Sequence, residues 1–491
     1  MRLGRSAARG LLLASGVNFG TYIFSFGVSV LLARLLTPNE FGQIALATTI
    51  ADLLFLTVGL SLPTALLREP AATVQIACRT SMTMMAAASV GLAAVGAAIS
   101  FGLASWMSET VALLFATVVI SRIPPLFALC LASDIQRRNA YGGYSIVVYG
   151  SQALSLVVAL VLGLLGAGVW ALAAREVAAG LCLLILAVWF SEWRIRFGFD
   201  GAKCVELLKF GVLMLGSRMG DILFHRYDNL VVGTMAGTRQ LGLYNQAYVL
   251  AEMSNKVYAP VIYQVPQSIY AQLQGDSTRT TLMYQLMMFA IIRSVLPLAL
   301  VLVVFPSEVL GFVFGAQWTP AAEMLRALAV YTLLLPVFEH ARVLLVANGD
   351  VTATLRARAF QLAVFLPATP LLTLAYGARG AAIAVAGSMV VGTLSILRQA
   401  QRLAAFRFAD CAAPLMAAVF AAGAGIAIGH YLSGDLSRLA AGTATTLGVY
   451  AVMLIALERK RLLMNTHILR SYFRETPVDT PIVPAPPPTT V

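Results

Sequence analysis

Apolar runs of about 20 residues follow one another along this chain, each the length a helix needs to cross the hydrocarbon core of a bilayer. Inside that core only helices and closed barrels satisfy every backbone N–H and C=O, so runs this long read as helices. Of the 491 residues, 59% are hydrophobic and 11% charged, whereas a soluble domain carries about 25% charged residues. The pattern predicts an all-α polytopic membrane protein with about fourteen transmembrane helices: 11–34, 41–66, 80–105, 111–133, 142–165, 167–190, 206–235, 240–266, 285–306, 322–346, 353–376, 379–402, 411–432 and 437–457. The basic start (Arg2, Arg5, Arg9) leads into an apolar run too long for a signal-peptide core, so no cleaved leader is expected.

A formal net charge of +12 raises the question of nucleic acid, but the distribution of that charge excludes it. With the N-terminus placed in the cytoplasm, 22 basic residues fall in or beside cytoplasmic segments and four (Arg34, Arg239, Arg379, Arg438) on the opposite side. That is the positive-inside bias, and it puts both termini in the cytoplasm. The five cysteines (Cys78, Cys130, Cys182, Cys204, Cys411) stand apart and the four histidines are scattered. They suggest neither a disulfide framework nor a metal site. No cofactor motif and no catalytic constellation is apparent, and the longest outer loop, near 307–321, is too small for a catalytic domain. The chain is therefore not expected to be an enzyme. The stretch PVDTPIVPAPPPTTV reads as a disordered cytoplasmic tail.

Eight basic residues remain inside spans: Arg122, Arg175, Arg218, Arg226, Lys256, Arg293, Arg326 and Arg342. The intramembrane acids are Asp52, Glu176, Asp221, Asp228, Glu252, Glu323 and Glu339. Some are expected to neutralise sequence neighbours, Arg175 with Glu176 and Glu323 with Arg326. Arg326 and Arg342 lie near span ends and are expected to snorkel to the interface. Two stripes stand out because their members recur every three or four residues and share a helix face. One is Arg218, Asp221, His225 and Asn229; the other is Asn245, Tyr248, Glu252 and Lys256. Charges at membrane depth are expensive and normally face a water-filled cavity or a protein partner, so both stripes are expected to line a pathway. Arg122 and Arg293 lie deep without a charged neighbour in sequence and are expected to face the same lumen. His225 is open to two readings, a proton-coupling group that titrates near neutrality or a hydrogen-bonded spacer. Span 1 carries Ser15, Asn18, Tyr22, Ser25 and Ser29 as a polar stripe, which reads equally as small-residue helix packing around Gly16 and Gly20.

A shift of 200 residues lays Gly16, Gly20, Phe24, Gly42 and Ala47 on Gly216, Gly220, Phe224, Gly242 and Ala247, and Asp52 on Glu252. A second match pairs GVWALAAREVA (168–178) with GAAIAVAGSMV (380–390). Six spans separate the copies, so they share orientation. This predicts two six-helix bundles in a parallel pseudo-repeat with the substrate between them. The expected layout is an N-terminal bundle at 1–200, a second bundle at 201–405, two further helices at 406–460 and the tail at 461–491.

Several stretches now resemble a known family. LLARLLTPNEFGQIALATTIADLL (31–54) is similar to the opening motif of Wzx-type polysaccharide flippases. These form a branch of the multidrug/oligosaccharidyl-lipid/polysaccharide exporter superfamily. YDNLVVGTMAGTRQLGLYNQAYVL (227–250), VLGFVFGAQWTPAAEMLRALA (309–329) and GARGAAIAVAGSMVVG (377–392) resemble its later motifs, in the right order. The resemblance implies a bacterial inner-membrane protein that moves an undecaprenyl-diphosphate-linked oligosaccharide to the outer leaflet through a cationic cavity while its tail stays among membrane lipids. A glycan polymerase and a chain-length regulator are the partners this implies. The family's cavity arginines do not map onto this chain residue by residue, so the site assignment rests on helix faces. Arg218, Arg226, Lys256, Arg293, Arg122 and Asn18 are the expected substrate contacts, and Asp52, Asp221, His225 and Glu252 the charge partners or ion-coupling groups. A cation-coupled multidrug exporter, a lipid II flippase and a membrane glycan polymerase or ligase remain rival readings. The first predicts an acid-dominated cavity and twelve spans, and the last a large outer loop with catalytic arginines.

Overall fold

The computed structural model describes residues 20–58, 62–259, 265–406, 408–432 and 434–475. Among the described residues there is no β-strand. The helices begin with α1 (Gly20–Leu35), α2 (Pro38–Val58), α3 (Leu62–Arg68), α4 (Val74–Trp106), α5 (Glu109–Ser121) and α6 (Ile123–Arg137). A π-helical turn at Ile146–Gly150 joins α7 (Tyr141–Ser145) to α8 (Ser151–Leu164). Then come α9 (Val169–Phe190), α10 (Gly201–Met235), α11 (Thr238–Ala259), α12 (Val265–Gln272), α13 (Ser277–Val304) and α14 (Pro306–Val313). The last five are α15 (Ala322–Ala347), α16 (Val351–Tyr376), α17 (Ala378–Ala400), α18 (Ala412–Tyr431) and α19 (Asp435–Glu475). Among the described residues ten helical segments are long and apolar enough to cross a membrane, so the chain is a multi-pass membrane protein. Four expected spans, 11–34, 41–66, 206–235 and 240–266, are not among the ten. They correspond to α1, α2, α10 and α11; α1 is described only from Gly20, and polar stripes dilute α10 and α11.

The chain divides into two compact units. The first holds residues 1–253, 306–331 and 354–395, the second 254–305, 332–353 and 396–491. In the first unit α4 packs on α5, α6 and α8 on α9, and α2 on both α5 and α10. Leu62, Leu66, Met82, Met85, Leu126, Leu131 and Ile135 form a buried core. The start of α2 is fixed by a reciprocal capping box. The Thr37 N–H donates to Glu40 Oε2 at 2.8 Å and the Glu40 N–H to Thr37 Oγ1 at 3.4 Å. This satisfies N–H groups that the first turn leaves without helical partners.

Gly42 and Gly242 mark where α2 and α11 cross. A Cβ built on Gly42 would lie 1.6 Å from the Thr238 carbonyl oxygen, and one on Gly242 would lie 1.8 Å from that of Pro38. Thr238 Oγ1 also donates to Asn39 Oδ1 at 2.6 Å. Only glycine at both positions allows two backbones this close. The segment 306–321 closes over the end of α1 nearby. Trp318 Nε1 donates to the Ala33 carbonyl at 2.8 Å, Gln317 Nε2 to Ala33 and Leu36 at 2.8 and 3.0 Å, and Arg34 Nη2 to Phe312 at 2.5 Å. Trp318 and Gln317 thereby take up carbonyls at the end of α1 that it cannot use itself, while Arg34 reaches from α1 to the facing segment. Phe41 meets the Trp318 ring edge-on at 5.4 Å. Gly42→Ala is expected to lower stability by about 1–3 kcal/mol, the usual cost of overpacking. Gly91→Ala, whose Cβ meets nothing within 4 Å, is expected to be neutral; thermal unfolding in detergent compares them.

Glu69 ties the α3–α4 corner to the start of α10. Its Oε1 accepts from Thr73 Oγ1 at 2.5 Å and from Lys203 Nζ at 2.8 Å, and Arg137 Nη1 donates to its carbonyl at 2.6 Å. Burial pushes the Glu69 carboxyl up, but hydrogen bonds from Lys203 and Thr73 outweigh it and hold it below the usual value of 4.5. Hydrogen bonds to Glu206 and Glu69 raise the Lys203 ammonium. A depressed carboxylate stabilises the fold above its unfolded pKa, and the contribution is lost as pH falls through its folded value. Glu69→Gln is therefore expected to lower the melting temperature at pH 7. The gap from wild type should close only once the pH is well below 4.5.

The second unit packs α18 against α19 and both against α13. Small residues make that contact: a Cβ on Gly425 would lie 2.1 Å from Thr446 Oγ1, and one on Gly442 would lie 2.4 Å from Phe305 Cζ. Helices in lipid lack a hydrophobic drive to associate, so close packing of this kind has to hold them. Leu296, Ala417, Ala418, Ala421 and Tyr450 fill the core. His340 is buried beside Tyr270, whose hydroxyl lies 2.9 Å from His340 Nε2, and Tyr284 stacks on the imidazole at 5.5 Å.

Candidate functional site

Four charged side chains from four helices converge in the first unit. Arg122 sits at the break between α5 and α6, just ahead of Pro124 and Pro125, which cannot continue a helical ladder. Its Nη2 lies 2.8 Å from Asp52 Oδ1 on α2, and its Nη1 lies 3.0 Å from Glu176 Oε2 on α9. The other oxygen of Asp52 takes Arg226 Nη2 of α10 at 2.7 Å. Asp52 thus bridges two guanidiniums with one carboxylate. The side chains are 18–38% exposed, too open for a packed core and too charged for lipid. Formal charge in the group is balanced, two guanidiniums against two carboxylates.

Of the other expected residues, Asp221 is exposed and binds Arg358 Nη2 at 2.9 Å. The Arg358 side chain is only 11% exposed. It also donates to Gln361 Oε1 at 2.8 Å and lies over the Phe224 ring at 5.1 Å. Spacing within α10 could not reveal this partner because it comes from α16. His225 is exposed with Nδ1 2.7 Å from the Asp221 carbonyl oxygen one turn earlier, the geometry of a hydrogen-bonded spacer. Asn229 does not stay on the open face with Asp221 and His225; it is 7% exposed. Beside it Asp228 is buried, accepting from the Asn229 N–H at 2.8 Å and the Tyr244 hydroxyl at 2.5 Å. Glu252 is half-buried and Lys256 exposed on α11, and neither lacks a partner. Asn18 and the Arg218 side chain lie outside the described residues.

Arg293 does not present an open guanidinium as expected. It belongs to the second unit, where Nε and Nη2 both lie 2.6 Å from the Glu458 carboxylate. Nη2 also donates to the Asp410 carbonyl at 3.0 Å and Nη1 to that of Phe289 at 3.3 Å. All three nitrogens have acceptors, and the guanidinium also lies over the Phe289 ring at 3.5 Å. The residue staples α13 to α19, which leaves helical geometry at Glu458 (φ −130°, ψ 19°). Glu176 pairs with Arg122 where the sequence suggested Arg175, because side chains at i and i+1 leave a helix in different directions. Glu323 does pair with Arg326, at 2.7 Å, and also with Arg379 at 3.3 Å. Arg342, expected to snorkel, lies 2.6 Å from Glu339.

This fold is shared with solved transporters. Superposition on a lipid II flippase, MurJ, in an inward closed conformation gives a TM-score of 0.69 at 12% identity, covering 92% of this chain and 100% of that one. An inward-facing MATE-family multidrug transporter gives 0.54 at 15% identity, covering 79% and 94%. The class these likenesses define is a shared multi-helix membrane fold. Residues 31–323 match the model of the polysaccharide biosynthesis protein family, and the chain belongs to that family. It is 26% identical over 330 residues to the succinoglycan biosynthesis transport protein ExoT of Rhizobium meliloti, 63% of each chain. It is 28% identical over 171 residues to the teichuronic acid biosynthesis protein TuaB of Bacillus subtilis, 34% of each chain. A 176-residue match at 25% identity to the lipopolysaccharide biosynthesis protein WzxC of Escherichia coli covers 36% of each. The chain thus aligns with less than two thirds of the length of each of these relatives.

Removing the Asp52 carboxylate would leave Arg122 and Arg226 both short of an acceptor. Asp52→Asn is expected to cost about 2 kcal/mol, below the full penalty of a buried broken pair because the cluster is partly open. A double-mutant cycle with Arg226→Gln, followed by unfolding in mixed micelles, should return a coupling of about 1 kcal/mol.

Proposed function

We propose that this protein is a lipid-linked oligosaccharide flippase. In this reading it carries an undecaprenyl-diphosphate-linked repeat unit from the cytoplasmic to the outer leaflet by alternating access, for exopolysaccharide, capsule or O-antigen export. The observation that carries this reading is the half-open cluster of Asp52, Arg122, Glu176 and Arg226 on membrane helices. Paired charges at that depth fit the wall of an aqueous cavity, and a diphosphate is an anion able to compete with Asp52 and Glu176 for the two guanidiniums. Arginine grips phosphate oxygens with paired donors, and the exchange gains strength in a low-dielectric cleft. Arg218 and Lys256 extend the cationic lining in this reading, while Asp221 and Glu252 balance it. The relatives named for succinoglycan, teichuronic acid and lipopolysaccharide biosynthesis support a glycan cargo.

The same proposal takes the chain to have fourteen spans with both termini in the cytoplasm of the inner membrane. Two six-helix bundles at 1–200 and 201–405 precede the additional helices at 406–460. Support comes from the four helices that fall short of the ten apolar spans. The 200-residue offset lays α1 on α10 and the first residue of α2, Pro38, on the first residue of α11, Thr238. The crossing glycines, Gly42 and Gly242, are related by that offset too. The end closed by these glycines and Trp318 is then the outer end. A glycan polymerase with a chain-length regulator would receive the flipped repeat.

Full-length protein in liposomes is expected to flip undecaprenyl-diphosphate oligosaccharide. Arg122→Ala and Arg226→Ala should cut the rate about tenfold or more, the worth of a charge-assisted hydrogen bond, while the variants keep a wild-type elution profile. Wild-type liposomes that ignore the glycolipid but expel small cationic drugs against an ion gradient would replace this reading with a drug exporter.

A further inference from the structure

Away from the charged cluster, the first unit holds a second concentration of arginine. The segment 191–200, which links α9 to α10, contains no helix and runs beside the first turns of α4. Thr83 Oγ1 donates to the Gly198 carbonyl at 2.9 Å and accepts from the Gly198 N–H at 3.0 Å, and Thr80 Oγ1 accepts from the Asp200 N–H at 3.3 Å. At the other end Asp134 accepts from the Ser191 hydroxyl at 3.0 Å and from the Glu192 N–H at 2.8 Å. The segment is therefore fixed in place. Between it and α4 lies a cavity of about 190 Å³ lined by Arg79, Arg194, Arg196, Glu192, Trp193 and Cys78, with Gln75 beside them.

Among the described residues no carboxylate engages the three arginines. Arg194 Nη1 donates only to the carbonyls of Val188 and Ser191, at 3.1 and 3.3 Å. Glu192, the acid in the lining, is taken by Arg138 Nη1 at 2.8 Å. Three cations thus face a pocket whose one anion already has a partner. The sequence WRIRFGF (193–199) interleaves basic and apolar residues. Interleaved with Arg194 and Arg196, Ile195, Phe197 and Phe199 are exposed at 39%, 61% and 69%. Trp189 just before them is 79% exposed. Aromatic rings beside fixed basic residues are what the headgroup level of a membrane accommodates, and basic residues there attract anionic lipids.

We propose that this cavity binds a phosphate-bearing anion and that its occupant is the headgroup of an anionic phospholipid. The phosphodiester sits among Arg79, Arg194 and Arg196, and the acyl chains lie along Phe197 and Phe199. The volume equals roughly six waters at about 30 Å³ each, enough for a phosphate group with part of its hydration. The site shares no residue with the Asp52 cluster and stands whether or not the glycolipid reading does.

The test uses purified full-length protein and native mass spectrometry during titration with phosphatidylglycerol, with phosphatidylcholine as the uncharged comparison. Arg79→Gln with Arg194→Gln and Arg196→Gln is expected to weaken phosphatidylglycerol retention about tenfold or more, given the attraction each basic residue adds near a charged surface. Phosphatidylcholine retention should not change. Arg398→Gln with Arg402→Gln removes charge elsewhere and should retain phosphatidylglycerol as wild type does. Phe197→Ser with Phe199→Ser keeps the arginines and should weaken lipid retention alone, which gives a second readout if the triple variant folds poorly. Equal phosphatidylglycerol retention in wild type and the folded arginine variant overturns the proposal. Displacement of the lipid by millimolar inorganic phosphate, with the phenylalanine variant unaffected, overturns the lipid assignment in favour of a soluble phosphate.

Discussion

One carboxylate, Asp52, holds two guanidiniums that arrive from different helices, Arg122 at 2.8 Å and Arg226 at 2.7 Å. Such a bridge gains from partial burial, since its side chains are 18–38% exposed. A pair of unit charges that attract weakly in bulk solvent attract several times more where the effective dielectric is lower. The same environment makes either arginine alone costly. Helices α2, α6, α9 and α10 are therefore joined by a shared electrostatic requirement as much as by shape. A network that balances internally can also exchange partners, since an incoming anion replaces a carboxylate without leaving a bare charge behind. The proposed transport of a diphosphate would draw on that property.

Close packing does the complementary work. In lipid the hydrophobic effect does not favour one helix contact over another, so proximity has to come from residues that permit it. Gly42 and Gly242 let α2 and α11 cross with a backbone carbonyl where a side chain would otherwise stand. Gly425 and Gly442 do the same around Thr446 and Phe305 in the second unit. Where such an end is sealed, carbonyls left over from helix termini still need donors. Trp318 and Gln317 supply them to Ala33 and Leu36. The motif at 309–329 thus has a local job: it carries indole and amide donors to the last turn of α1.

Much of the site was legible before any coordinate. Mid-span charge is rare enough to single out Asp52, Arg122, Glu176, Asp221 and Arg226 from a largely apolar sequence. Partnership was the illegible part. Arg175 precedes Glu176, yet the carboxylate turns to Arg122, 54 positions earlier. Arg293 looked solitary because Glu458 is 165 positions away, at a place where α19 loses its helical geometry. Arg358 looked like a loop cation because it follows closely on the start of α16; its Asp221 partner lies far back on α10. Helical periodicity reports which residues share a face. It is silent about which face of another helix will oppose them.

The sequence by itself determined the helical, multi-pass character of the chain, because hydrocarbon tolerates no unsatisfied backbone and the apolar runs have the length to cross it. It also determined which few positions would carry charge at that depth. Only the tertiary structure decided which of those charges neutralise one another, that Arg293 is a staple, and that the segment 191–200 frames a pocket lined by Arg79, Arg194 and Arg196. The physical reason is the range of each effect. Burial of apolar surface and backbone hydrogen bonding in a helix act between near neighbours in sequence. Ion pairing at 3 Å depends on where distant helices cross, and those crossings are set by glycines, proline breaks and capped ends acting together.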